Sequence, residues 1–173
     1  SPPSSPLPPQ AASKAIEQGA AVVVLWDVNE PALMETVEEL QGAGSVVHGY
    51  VVDVSSPEAI ATTAALVREE AGTVEVLFNN AGIVRGNAYF WELDDASEIE
   101  LTMAVNSLAP MLITREFLPG MVTHDRDCRI VNIASSAGLV SNPRMAVYAA
   151  SKWAAIGWSD SVRLELEQAG HDH

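Results

Sequence analysis

Residues 129–152 read Arg-Ile-Val-Asn-Ile-Ala-Ser-Ser-Ala-Gly-Leu-Val-Ser-Asn-Pro-Arg-Met-Ala-Val-Tyr-Ala-Ala-Ser-Lys, and this stretch decides the fold. The β-rich run from Ile130 to Ile133 predicts a strand that carries a serine pair, Ser135 and Ser136, at its carboxyl end. Gly138 and Pro143 punctuate the loop that follows. A helix then begins near Met145, and Tyr148 and Lys152, four positions apart, fall on one of its faces. A phenol with an ordinary pKa near ~10 is a poor base at neutral pH, and a cation beside it favours the phenolate. Ser135, on the neighbouring strand end, is placed to hydrogen-bond a carbonyl or alcohol oxygen at the same point. The bland alternative is a surface lysine beside a half-buried tyrosine. With three Tyr and two Lys in the chain, that spacing arises by chance in roughly 3 sequences in 100. A serine ahead of the tyrosine at a strand end makes coincidence rarer.

The same pattern of an apolar run ending on polar residues repeats toward the amino terminus. Val22 to Trp26 closes on Asp27, Val46 to Val52 on Asp53-Val54, and Glu75 to Phe78 on Asn79-Asn80-Ala81-Gly82. The first of these runs is continuously apolar, which predicts a strand buried on both faces. Helices are expected over Ala11–Gln18, stopped by Gly19, and over Pro31–Gln41, ended by Gly42 and Gly44. Ser56-Pro57-Glu58 reads as an N-cap with proline in the first turn, opening a helix to about Ala71. Apolar positions from Ile99 to Phe117 predict one long amphipathic helix from Ser97 to about Gly120, and the last helix runs from Met145 to about Gln168. Strand and helix alternate, so the fold class is α/β with a parallel sheet covered on both faces. Ligands of such sheets bind beyond the carboxyl ends of the strands. Asp27, Asp53, Asn79 and Ser135 all fall there. Each alone is an ordinary turn residue; four in succession shift the balance.

Asn106 stands mid-helix with Pro110 four residues on. Proline has no N–H, so the Asn106 carbonyl loses its helical donor and is open to water or ligand; a packing kink is the rival explanation.

Asn79-Asn80-Ala81-Gly82, Ser135 and Tyr148 with Lys152 together resemble the motifs of the short-chain dehydrogenase/reductase family, over about Ala11 to Gln168. The resemblance implies a doubly wound, mostly parallel Rossmann-like sheet with helices on both faces. It also implies an NAD(P)-dependent oxidoreductase that interconverts an alcohol and a carbonyl, with Ser135, Tyr148, Lys152 and Asn106 as its catalytic set. In that frame Asp53 takes the adenine amino group and Val54 backs the ring. Asn79, Ala81 and Gly82 line the cofactor, Tyr148 and Lys152 lie beside its nicotinamide ribose, and Asn106 holds a water linking Lys152 to solvent. Asp27 can accept hydrogen bonds from both adenosine ribose hydroxyls and would repel a 2′-phosphate, and no Arg or Lys follows closely, so NAD is expected over NADP.

The chain departs from the family at both flanks. The family opens on a strand and a glycine-rich turn whose backbone approaches pyrophosphate. Counting back from Gly19, those glycines fall near Pro2, Pro6 and Pro8, and proline takes no positive φ and donates no N–H. The sheet is therefore expected to be incomplete: residues 1–10 a proline-rich extended segment, and 11–173 a single partial Rossmann-like domain. The family's last strands and substrate loop are missing too. A second hypothesis stays open, a catalytically silent, truncated family member acting as a binding or dimerisation module.

Composition bounds the rest. A chain of 173 residues with 48% hydrophobic and 18% charged residues is long enough to bury one core. A formal charge of −14 argues against nucleic acid and anionic membranes. The lone Cys128 fits a reducing cytoplasm; no run spans a bilayer and no leader is evident, so a cytoplasmic protein is expected. No Gly-x-Ser-x-Gly elbow supports a hydrolase, and His124, Asp125, Asp127 and Cys128 match no metal-site spacing. Partners are expected to be a small alcohol or ketone and a second copy of the chain. Leu108, Met111, Trp153 and Trp158 on the helices at 97–119 and 145–168 exceed the apolar needs of one buried face, and in the family those helices pack across a two-fold axis.

Overall fold

The computed structural model describes residues 9–42 and 44–171. The expectations for residues 1–8, Pro2, Pro6 and Pro8 included, lie outside the described residues. The chain divides into two compact units, one up to Gly72 and one from Thr73.

The first unit contains α1 (Pro9–Glu17), β1 (Val22–Asp27), α2 (Glu30–Gln41), β2 (Val46–Val51) and α3 (Pro57–Glu70). Local chemistry sets its boundaries. Gly19, at φ 95°, turns the chain after α1, a conformation that suits glycine. Asn29 caps α2 by accepting from the Ala32 N–H at 3.2 Å, and Ser56 caps α3 by accepting from the Ala59 N–H at 3.2 Å. β1 and β2 pair in parallel, from Val22 opposite Val46 to Asp27 opposite Val51. Leu33, Val37, Leu40 and Val47 form the buried core, with Ala12, Ile16, Val23 and Leu25 packed against it. Gly49 lets α2 lie on β2: a Cβ there would stand 2.7 Å from Val37 Cγ2.

A polar cluster closes the other side of β2. The Tyr50 hydroxyl donates to Glu70 Oε2 at 2.6 Å, and His48 Nδ1 lies 3.5 Å from the same oxygen. Burial first, then the hydrogen bond to Glu70 and its charge, push the Tyr50 phenol up to about 12. An ultraviolet titration should therefore show Tyr50 ionising late, and Glu70→Gln should bring it down only part of the way because burial is the larger cause. The folded state holds this proton more tightly than the unfolded one. Its contribution to stability is complete below the ordinary tyrosine pKa and is lost as pH rises from there through about 12.

The second unit contains β3 (Val76–Asn79), α4 (Ser97–Met103), α5 (Ala109–Val122), β4 (Arg129–Asn132) and α6 (Ala146–Gln168). β3 and β4 pair in parallel, Val76 opposite Arg129 and Asn79 opposite Asn132. The long helix expected from Ser97 is interrupted by a π turn, Ala104–Leu108, in which the Ala109 N–H reaches the Ala104 carbonyl. Pro110 explains it, since it cannot donate to the Asn106 carbonyl and the ladder shifts by one residue. Val105, Ala109, Ile113, Phe117 and Met121, four apart along this helix, are all buried.

These are the parallel strands and flanking helices of an incomplete Rossmann-like α/β fold. One expectation needs correction. β1 is half-buried, and Val22 is 39% exposed. Among the described residues β1 pairs only with β2 and β3 only with β4, so no second described strand covers β1 as a central strand is covered. No described helix is long and apolar enough to cross a membrane.

Candidate active site

The end of β4 and the start of α6 bring the second unit's polar residues together. Ser135 is extended, with φ −154°, and its Oγ accepts the Ala137 N–H at 3.2 Å, capping a short turn over residues 136–138. That turn ends on buried Gly138, where a Cβ would stand 2.9 Å from the Lys152 carbonyl oxygen and 2.5 Å from Ile156 Cδ1. Glycine is thus what lets the serine loop lie on α6 at Lys152. Gly138→Ala should cost about 1–3 kcal/mol, read by urea unfolding, because the obstructing carbonyl belongs to a rigid helix.

Lys152 is 5% exposed. Its ammonium donates to the Ile133 carbonyl at 3.2 Å and lies 5.8 Å from the centroid of the Tyr148 ring. Burial pulls its pKa below the ordinary lysine value. Tyr148 is half-buried in the first turn of α6. A buried cation beside a phenol ring, bonded to the carbonyl two residues before a strand-end serine, is an arrangement suited to proton transfer at an oxygen.

Asn106, 1% exposed, holds this cluster to the loop after β3. Its Oδ1 accepts the Ile83 N–H at 2.8 Å, and its Nδ2 donates to the Ile83 carbonyl at 2.9 Å and to Ser151 Oγ at 3.0 Å. Ser151 Oγ in turn donates to the Tyr148 carbonyl at 2.7 Å, and Ser107 Oγ donates to the Ser151 carbonyl at 3.0 Å. Gly82 is drawn close: a Cβ on it would stand 3.5 Å from both Asn106 Oδ1 and Lys152 Nζ. Asn79 braces β3, donating from Nδ2 to Thr114 Oγ1 at 3.0 Å and to Asn132 Oδ1 at 2.8 Å. Its Oδ1 is buried without a hydrogen-bond partner. Ala81 is exposed in the same loop.

Ser151, Ser107, Thr114 and Asn132 were not singled out from sequence, and Gly138 was read only as loop punctuation. Ser151 left a trace, being a polar residue three positions after Tyr148 on a largely apolar helix face. A further contact had no sequence signal: Arg144, the one described non-glycine residue at positive φ, 64°, sets its guanidinium 5.6 Å from the centroid of the Tyr89 ring. Left-handed backbone costs an arginine about 1–2 kcal/mol, and an exposed cation–π contact returns about 0.5–1 kcal/mol, so the contact is finely balanced.

Asp27, Asp53 and Val54 belong to the first unit, at the carboxyl ends of β1 and β2. Asp27 Oδ1 accepts the Asn29 N–H at 2.8 Å, and Asp53 Oδ1 accepts from the Ser55 N–H at 2.9 Å and hydroxyl at 2.6 Å. Each carboxylate keeps lone pairs beyond these local bonds that can accept from further donors.

Residues 7–170 match the family described as short chain dehydrogenase. Estradiol 17-beta-dehydrogenase 11 of Homo sapiens is 42% identical over 144 residues, covering 83% of this chain and 47% of that protein. Epidermal retinol dehydrogenase 2 of Mus musculus is 40% identical over 146 residues, covering 84% and 46%. The chain spans about half the length of the curated relatives it matches. Among solved structures, a metagenomic short-chain oxidoreductase in complex with NADP superposes with a TM-score of 0.86 at 34% identity, over 95% of this chain and 71% of the other. A short-chain dehydrogenase/reductase from Burkholderia phymatum in complex with NAD gives 0.82 at 36%, over 90% and 56%.

Proposed function

The chain belongs to the short-chain dehydrogenase family, and from that premise we propose that it carries the catalytic centre of an oxidoreductase that interconverts an uncharged, apolar alcohol and its carbonyl with a nicotinamide cofactor. The observation that carries this reading is the buried Lys152 ammonium beside the Tyr148 ring. When bound, the cofactor supplies the hydride acceptor. Ser135 donates its hydroxyl hydrogen to the substrate oxygen and orients it. Tyr148 as phenolate takes the hydroxyl proton at its own oxygen, and returns it to a carbonyl in the reverse direction. Lys152 stabilises the phenolate and binds the nicotinamide ribose. Asn106 keeps the loop at Ile83 and the helix at Ser151 in register, and serves the proton path from Lys152 to solvent. Asn79, Ala81 and Gly82 line the cofactor from the loop after β3. The choice of an apolar alcohol follows the names of the estradiol and retinol relatives.

Asp27 supports NAD as the preferred cofactor, with Asp53 and Val54 at the adenine. Asp27→Ser should shift the ratio of NADP to NAD affinity at least tenfold, about 1.4 kcal/mol, toward NADP, as measured by nicotinamide fluorescence; an unchanged ratio would remove Asp27 from the site. Self-association through the helices at 97–119 and 145–168 is part of the same proposal, supported by Leu108 and Trp153 at 53% and 51% exposure. A cytoplasmic location remains an expectation to be tested by fractionation.

A second reading, a catalytically silent binding module, is favoured by the prolines at 2, 6 and 8 and by the single described partner of each of β1 and β3. Titrating the whole chain with NADH separates the two: saturable enhancement of nicotinamide fluorescence supports the oxidoreductase, and no binding up to millimolar concentrations supports the silent module.

A further inference from the structure

The segment at 84–96 is tied to the catalytic cluster at one end, because Ile83 is held through both backbone groups by Asn106. Its middle is tied by Arg144. The Tyr89 ring lies 5.6 Å from the Arg144 guanidinium and stacks on Trp91, with 4.8 Å between ring centroids and 7° between planes. Arg144 stands four residues ahead of Tyr148 on the segment that leads into α6. Its left-handed φ of 64° is a conformation that any arginine adopts only under constraint. The two segments joined in this way carry large apolar side chains in solvent: Phe90 is 59% exposed, Trp91 79%, Leu139 66% and Val140 62%. Residues 84–98 carry Glu92, Asp94, Asp95 and Glu98 against one cation, Arg85, a net negative charge that disfavours anionic ligands such as phosphate esters or acyl carriers.

We propose that Arg144 is a positioning residue for substrate selection: by holding Tyr89 it fixes the 84–96 segment so that Phe90 and Trp91, with Leu139 and Val140, receive the uncharged apolar body of an alcohol whose hydroxyl lies at Ser135 and Tyr148. This inference rests on the alcohol–carbonyl reading of the site. Arg144 touches neither the reacting atoms nor the cofactor; it acts through Tyr89.

The test is titration calorimetry of the whole chain with menthol, a bulky apolar alcohol, and with isopropanol, which has no such body. Arg144→Gly removes the cation and the left-handed strain but also frees the backbone, so Arg144→Asn, which tolerates left-handed φ without that added freedom, should give the same loss if the contact is its cause. Menthol affinity should fall roughly three- to fivefold in Arg144→Gly. Arg144→Lys should recover it to within about twofold, and isopropanol should be unaffected. Amide hydrogen exchange should quicken over residues 86–93 in Arg144→Gly and Arg144→Asn and not in Arg144→Lys. Trp91→Ala should weaken menthol and spare isopropanol. Unchanged menthol binding in Arg144→Gly, equal losses for both alcohols, or no menthol binding by the natural chain would each overturn the proposal. NADH titrated in parallel keeps the underlying reading separate. Arg144-dependent menthol binding without NADH binding sinks the oxidoreductase and leaves the aromatic site, whereas NADH binding with menthol indifferent to Arg144 sinks the aromatic site alone.

Discussion

Tyr148→Phe should lower turnover about a thousandfold while leaving NADH affinity within about twofold, because the substitution removes one oxygen and leaves the ring beside Lys152. General acid–base groups contribute about 10²–10⁴-fold in rate. Single-turnover kinetics check the loss, and nicotinamide fluorescence checks the binding. Retention of more than a tenth of the rate would remove Tyr148 from the proton-transfer role. Lys152 adds a dependence on pH that runs in two directions. Burial lowers its pKa, so the folded chain releases this proton at a lower pH than the unfolded chain does. Between the lowered value and the ordinary lysine value the unfolded state binds more protons, so stability rises with pH across that window. A mechanism that needs the ammonium loses rate over the same window. Rate falling while stability rises is the signature to look for. Rate and stability falling together would point to simple alkaline unfolding.

Asn106→Leu should cost about 3–5 kcal/mol in urea unfolding. The side chains are close in size, so the loss comes from polar groups and not from a cavity. Leucine leaves the Ile83 N–H and carbonyl without their partners and takes away the donor to Ser151 Oγ. Stranding a buried polar group costs about 1–3 kcal/mol each, and a chain of this length has only about 5–15 kcal/mol in hand. A loss under about 1 kcal/mol would mean that water replaces the amide and that the loop at Ile83 is held by other contacts. The effect should not spread to Tyr50 and Glu70, which close on each other inside the first unit.

What the sequence made legible was local. The cap of α3 and the stop at Gly19 follow from a side chain that reaches its own backbone within three residues and from a left-handed turn that glycine accepts, whereas the Asn29 cap of α2 was not read. The strand ends at Asp27, Asn79 and Ser135 were visible because apolar runs stop there. Pro110 was visible as a defect in the helix, but its outcome, a π turn instead of a bare kink, depended on which carbonyl the Ala109 N–H could reach. The even burial expected of Val22–Trp26 assumed neighbours on both sides of β1, and periodicity within one strand carries no information about its neighbours.

By itself, the sequence determined that Tyr148 and Lys152 share a helical face and that polar residues crown a set of parallel strands, because a helix repeats every 3.6 residues and a strand every two whatever surrounds them. Only the tertiary structure decided that the Lys152 ammonium is buried, that Asn106 joins Ile83 to Ser151 across sequence separations of 23 and 45 residues, that Gly138 seats the serine loop on α6, and that Arg144 meets Tyr89. Those contacts depend on which remote segments come together, and no local propensity encodes that meeting.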